Sequence, residues 1–165
     1  MTTTNTGVTK QQVALKNTTA TLVKATLEHL EDASMLFDMY RVFYRQESDY
    51  ERGKKFLQDR LSNDQSHIFL AYVDGQAVGF VQLYELFHYI KLEKQWLLSD
   101  LFVHPEYRGI GLSVAIIDRA KQWCDETNAC GLMLETEKTN DIGNTLYPRC
   151  GFVYDGGHNY YYWWK

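Results

Sequence analysis

Between an apolar run at residues 96–103 and an amphipathic stretch starting near residue 112, the chain reads "HPEYRGIGLSVAI", with Pro105, Tyr107, Arg108, Gly109 and Gly111 in quick succession. Only 11 glycines and two prolines occur in the whole chain, so two of the first and one of the second here mark a specific turn. Glycine lacks the Cβ that would keep a bulky group off the main chain, and a helix start leaves about four N–H groups unpaired beside a partial positive charge. Anion binding by backbone amides is the chemistry this favours. A dinucleotide fingerprint would need a third glycine where Val114 stands, and a Walker loop would need Gly-Lys-Ser/Thr, which is absent.

Proton transfer needs titratable groups, and two carboxylates sit where apolar residues dominate. Asp100 interrupts "WLLSDLFV", and Glu135 closes "CGLMLET". An acid in an apolar strand needs a reason: a salt bridge, a turn, or a proton to accept directly or through water. His88 and His104 are weaker candidates, His104 lying in a turn where solvent exposure is expected. Cys150 could carry an acyl group, but no His/Asp pattern surrounds it. Cys124, Cys130 and Cys150 lack CxxC spacing, so neither a disulfide framework nor a metal site is expected.

The elements that must position these residues follow from periodicity. Residues 1–19 are rich in Thr, Asn and Gln without apolar periodicity and read as a loose, flexible tail, with a single domain from Ala20 to the C-terminus. "ATLVKAT" reads as a strand. "DASMLFDMYRVFYRQE" reads as a helix capped by Asp32, and "DYERGKKFLQDRLSND" as a shorter one. Asp74-Gly75 between two β-rich runs predicts a type I′ hairpin. The run 96–103 reads as a strand buried on both faces; a helix to about Asn128 follows, with Ser113, Ile116, Ile117, Ala120 and Cys124 as its apolar stripe. "CGLMLET" reads as a further buried strand, residues 140–150 as a short helix, and "GFVYDGGHNYYYWW" as two strands about a Gly-Gly turn. The fold class is mixed α/β, and its strand-turn-helix-strand unit at residues 96–135 should be parallel and right-handed.

Val103, Pro105, Tyr107, Arg108 and Gly111, followed by Asn140, Leu146, Tyr147, Gly151 and Phe152, resemble the paired signature of the GCN5-related N-acetyltransferase (GNAT) family. Ser113 departs from the Gly or Ala that usually ends the turn, but it is still small. The resemblance covers the chain from about Ala20. It implies a mostly antiparallel sheet flanked by helices, and acetyl-coenzyme A as cosubstrate, its pyrophosphate held by amides of Arg108, Gly109, Ile110, Gly111, Leu112 and Ser113. It further implies coenzyme contacts along Leu101, Phe102 and Val103, with the main chain of Phe102 or Val103 polarising the thioester carbonyl. Asn140 would touch the pantetheine arm or order its loop. Tyr147 would bind the coenzyme and act as general acid, since a phenol with an ordinary pKa of about 10 stays protonated at neutral pH. Asp100 or Glu135 remains the candidate base.

The details look most like the histone and polyamine acetyltransferase branch, acting by direct attack of a primary amine: a small polyamine-like cation, a lysine or an amino terminus. Glu47, Asp49 and Glu51 beside Tyr40, Tyr44 and Tyr50 favour a cationic amine. An acetyl-coenzyme A sensor without turnover is the rival reading. A net charge of −4 without a basic run argues against nucleic acid, and no apolar stretch reaches membrane-span length. With 165 residues, 45% hydrophobic, the chain reads as a cytoplasmic protein. Aromatic residues at 160–164 suggest a homodimer edge.

Overall fold

A computed structural model describes residues 10–165. Two compact units divide them, one ending at Leu134 and one running from Glu135 to Lys165. The first holds a six-stranded sheet in sequential order: β1 (Lys10–Ala14), β2 (Thr19–Lys24), β3 (His67–Val73), β4 (Gln76–His88), β5 (Glu93–Val103) and β6 (Leu132–Met133). The first five strands pair antiparallel, and β5 pairs with β6 in parallel. Helices α1 (Leu30–Phe43) and α2 (Tyr50–Ser62) come between β2 and β3, and α3 (Leu112–Glu126) between β5 and β6. The expected mixed α/β class and parallel crossover are present.

Cross-strand partners fix which residues share a face. On one face Ile68, Leu70, Phe80 and Phe102 close a core with Leu30, Ala33 and Leu36 of α1 and Leu57 of α2. Leu57 and Gly53 are the only residues α2 buries, so one leucine, contributing about 1.5–3 kcal/mol by burial, does much to fasten that helix. On the opposite face lie α3 and its buried Ile116, Ile117, Ala120 and Cys124. A Cβ on Gly79 of β4 would come within 3.0 Å of both Ile116 Cδ1 and the Phe102 carbonyl oxygen, so the bare glycine lets α3 settle against the sheet. The hairpin at Asp74-Gly75 has positive φ at both residues (49° and 79°), as a type I′ turn demands.

Several expectations need correction. Residues 10–14 are not loose: they pair in register with β2 from Lys10↔Val23 to Ala14↔Thr19, because an edge strand is held by its neighbour's ladder and needs no apolar alternation of its own. Residues 1–9 of the expected tail lie outside the described residues. Asp32 does not cap α1; the Thr26 side chain caps a preceding 3₁₀ turn, and Asp32 accepts a 2.6 Å hydrogen bond from the Tyr72 hydroxyl. The run 96–103 is not buried on both faces throughout, since Ser99 is exposed. The strand expected in "CGLMLET" shrinks to two residues, and residues 152–165 carry no strand.

Candidate active site

Strand β5 holds one irregularity. Gln82 pairs with Asp100 but Leu83 with Leu98, so Ser99 is an inserted residue. Before it, Trp96 lies on the α3 face against His67 and Trp123; after it, Asp100 and Phe102 lie on the α1 face with Phe80 and Gln82. A bulge adds one residue and so reverses the inside/outside phase of everything that follows.

The same shift decides which main-chain groups are open. The His104 N–H donates to the Val78 carbonyl at 2.8 Å, which sets the alternation along the antiparallel pair: Phe102 and Asp100 turn their N–H and C=O groups toward β4, while Val103 and Leu101 turn theirs away. On that other side β6 pairs only with Trp96 and Leu97. Of the two amides expected to polarise a carbonyl, Phe102's is therefore directed into the ladder, and Val103's faces the unpaired edge.

The glycine turn continues from this edge. Pro105 to Tyr107 form one 3₁₀ turn, the Arg108 N–H returns to the Pro105 carbonyl at 3.3 Å, and α3 starts after Gly111, whose φ is 94°. Helix α2 has an Asp49 side-chain cap, whereas α3 has neither a side-chain cap nor an acid in its first turn. No atom lies within 4 Å of where a Cβ would stand on Gly109 or Gly111. This open cradle of amides fits a phosphate. Arg108 departs from the expectation: its amide is committed to Pro105, while its side chain donates from Nε to the Val103 carbonyl at 3.0 Å and lies over Phe43 and Phe102.

Asp100 faces a polar cluster within the apolar α1 face. Burial pushes its carboxyl above the ordinary carboxylate range, while hydrogen bonds from Tyr40 and Ser99 pull it part of the way back. Beside it Tyr84 is pushed up to about 12 by burial and by the Asp100 charge. The Tyr84 oxygen accepts from Gln82 Nε2 at 2.9 Å, and the same amide nitrogen donates to Ser66 Oγ at 3.0 Å. Gln82 is fully buried, and the order of the strands gave no sign of it as part of this cluster.

The other candidates fare differently. His88 accepts from the Lys91 N–H in the β4–β5 turn, and His104 from the Glu106 N–H, so both act as local turn caps. Asp49 caps α2, and the Tyr50 hydroxyl and Lys54 ammonium both bind Glu31. Glu47 and Glu51 remain exposed. No group of three His, Cys, Asp or Glu residues able to hold a metal occurs among the described residues.

In the second unit, helix α4 (Asp141–Arg149) carries Tyr147, whose ring meets Phe152 edge-on at 5.8 Å between centroids. Gly151, with φ 84°, ends the helix and folds Phe152 back onto it. Asn140 Oδ1 accepts the Gly143 N–H at 3.0 Å and Nδ2 donates to Thr136 at 2.9 Å, so both ends of its amide order the helix start. Buried Cys150 is the C-cap. Glu135 accepts a 2.6 Å hydrogen bond from the Tyr162 hydroxyl and is exposed.

Residues 28–152, across both units, match the model of the acetyltransferase (GNAT) family. The chain belongs to the GNAT acetyltransferase family. This N-acetyltransferase is 37% identical over 126 residues to the uncharacterised N-acetyltransferase YhfO of Bacillus subtilis, covering 76% of this chain and 85% of that protein. It is similar to a crystallised probable acetyltransferase at 35% identity and TM-score 0.81, covering 86% of this chain and 95% of the other. At 15% identity it shares its fold, with TM-score 0.72 over 87% of this chain and 96% of the other, with a predicted acetyltransferase from Clostridium acetobutylicum crystallised with acetyl-CoA. Acetyl-coenzyme A is the family's cosubstrate, and the open β5 edge and the uncapped glycine turn of this acetyltransferase suit its amide-bearing arm and its phosphates.

Proposed function

We propose that this acetyltransferase transfers acetyl to a primary amine by direct attack, with Asp100 as the base. The single observation that carries this reading is a partly buried, raised carboxyl at the strand bulge, on the helix face next to an unpaired strand edge. Acetyl-coenzyme A, when bound, supplies the activated acetyl group. The residues that would hold it are Leu101 and Val103 through their main chain and Gly109, Ile110, Gly111, Leu112 and Ser113 through the turn and first helical residues.

An amine attacks only when neutral. Asp100, made more basic by burial, takes the amine's proton directly or through water. Glu135 is the less suited of the two carboxylates, being exposed and held by Tyr162. The Val103 N–H provides a fixed dipole for the thioester carbonyl oxygen. Tyr147 is the proposed general acid for the departing thiolate, on the strength of its place in the Leu146-Tyr147 pair. Residues 20–165 are proposed to act as one catalytic domain, in the cytoplasm, as a homodimer.

For the acceptor we propose a small cationic amine, a lysine or an amino terminus. The aromatic run Tyr40, Phe43 and Tyr44 at the end of α1 supports it, with ring centroids 4.9 and 5.3 Å apart in successive edge-on contacts, since such faces suit a cation. Thiol release from acetyl-coenzyme A across a panel of polyamines, amino acids, aminoglycosides and lysine peptides tests the function. Amine-dependent release is expected. Coenzyme binding without release for any amine would favour the sensor reading instead.

A further inference from the structure

We propose that Tyr40 is a positioning residue for the reacting carboxylate: from α1 its phenol O–H holds Asp100 in a fixed orientation on β5, an inference that rests on Asp100 being the base.

The Tyr40 ring is locked by its neighbours. It meets Phe80 at 5.9 Å and Phe102 at 6.4 Å edge-on, stacks with Phe37 at 6.3 Å, and meets Tyr44 at 4.9 Å. A phenol has few rotatable bonds, so packing the ring also aims the hydroxyl. Phe80 and Phe102 form the ladder pair next to Gln82 and Asp100 on the same face, so the rings that hold Tyr40 place it beside Asp100, whose carboxyl takes hydrogen bonds from Tyr40 and from Ser99, the residue inserted at the bulge. One donor thus comes from the helix layer and one from the strand itself.

Two further titratable groups belong to the surroundings of Asp100. From β4 comes Tyr84, kept protonated and accepting from Gln82; from α2, Arg60 acts on Tyr84. The chemical sense is plain: an arginine or lysine in the place of Tyr40 would orient the carboxylate but stabilise its charge so far that it would no longer take a proton near neutrality. A phenol orients it with a smaller effect, leaving burial in control of its basicity. Tyr40 also links the acceptor-side helix to the reacting group, because Phe43 closes α1 one turn on and Tyr44 is its C-cap.

Tyr40→Phe removes one oxygen and keeps the ring. The test is a carbon-13 NMR titration of the aspartate carboxyls, with Asp100→Asn identifying the Asp100 signal, together with the pH profile of kcat/KM for the best amine of the panel. The expected result is that the Asp100 midpoint and the acidic limb of the profile both move up by roughly one pH unit, the scale of one hydrogen bond to a charged group. Coenzyme affinity should stay within about twofold, as the cradle of amides is untouched. Ser99→Ala should move the midpoint in the same direction, and guards against a Tyr40 variant that folds poorly. An unmoved midpoint in Tyr40→Phe, with Asp100→Asn inactive, overturns the positioning role and leaves the base assignment standing. Asp100→Asn with wild-type turnover overturns both.

Discussion

The roles proposed for Asp100 and Tyr147 are opposite, one to take a proton and one to give it. Tyr147→Phe should lower kcat by roughly 10²-fold or more, the usual scale for a lost general acid, with little change in coenzyme affinity. The ring still packs against Phe152, so a tyrosine with only a packing role would leave kcat near normal in conditions where chemistry limits the rate. For Asp100 the linkage runs through stability. Its folded-state pKa lies above the unfolded value, so the folded chain binds the proton more tightly and stability falls as pH rises through the window between the two. Asp100→Asn removes that slope: it should raise the melting temperature at neutral pH while abolishing turnover, and a variant no more stable than the parent at neutral pH would contradict the burial argument. At this scale the sequence was informative about anomalies. Asp100 stood out because its neighbours are apolar, whereas Gln82 and the tie of Tyr40 to Asp100 did not, because a tyrosine on a helix and a glutamine in a strand gain these roles only through partners 60 and 18 residues away.

Elements were legible where local chemistry decides them. The Asp74-Gly75 turn, α2, α3 and the span of α4 all follow from turn residues, caps and apolar spacing. They were illegible where a neighbour decides them, as for β1, which exists only as the partner of β2, and for the shift of phase at Ser99, which period-2 reading cannot detect. Read without that insertion, Trp96, Leu98, Asp100 and Phe102 would all share one face. The turn before α3 yields a prediction at this scale. Gly111 combines a φ of 94°, costly for any residue with a branched side chain, with open space over the amides. Gly111→Val should weaken acetyl-coenzyme A binding by at least tenfold in calorimetry. It should also destabilise the fold by about 1–2 kcal/mol from the left-handed backbone alone. Unchanged affinity would remove this turn from the coenzyme site.

For the whole molecule, the surface is uneven. Tyr161, Trp163 and Trp164 are each at least 80% exposed, an apolar concentration unusual for an isolated chain. Sedimentation at micromolar concentration should show a dimer that Trp163→Asp with Trp164→Asp converts to monomer; a wild-type monomer would refute the proposed assembly. No described helix is long and apolar enough to cross a membrane. The bulge in β5 has a consequence for the history such a protein can have. In the proposed site, the strand beyond Ser99 offers the cosubstrate its backbone and the acceptor its side chains. Main-chain contacts survive most substitutions, whereas the aromatic side chains at the end of α1 can be exchanged one at a time. Acceptor preference is therefore free to drift under mutation while the cosubstrate stays the same, and two chains with the same glycine turn need not acetylate the same amine.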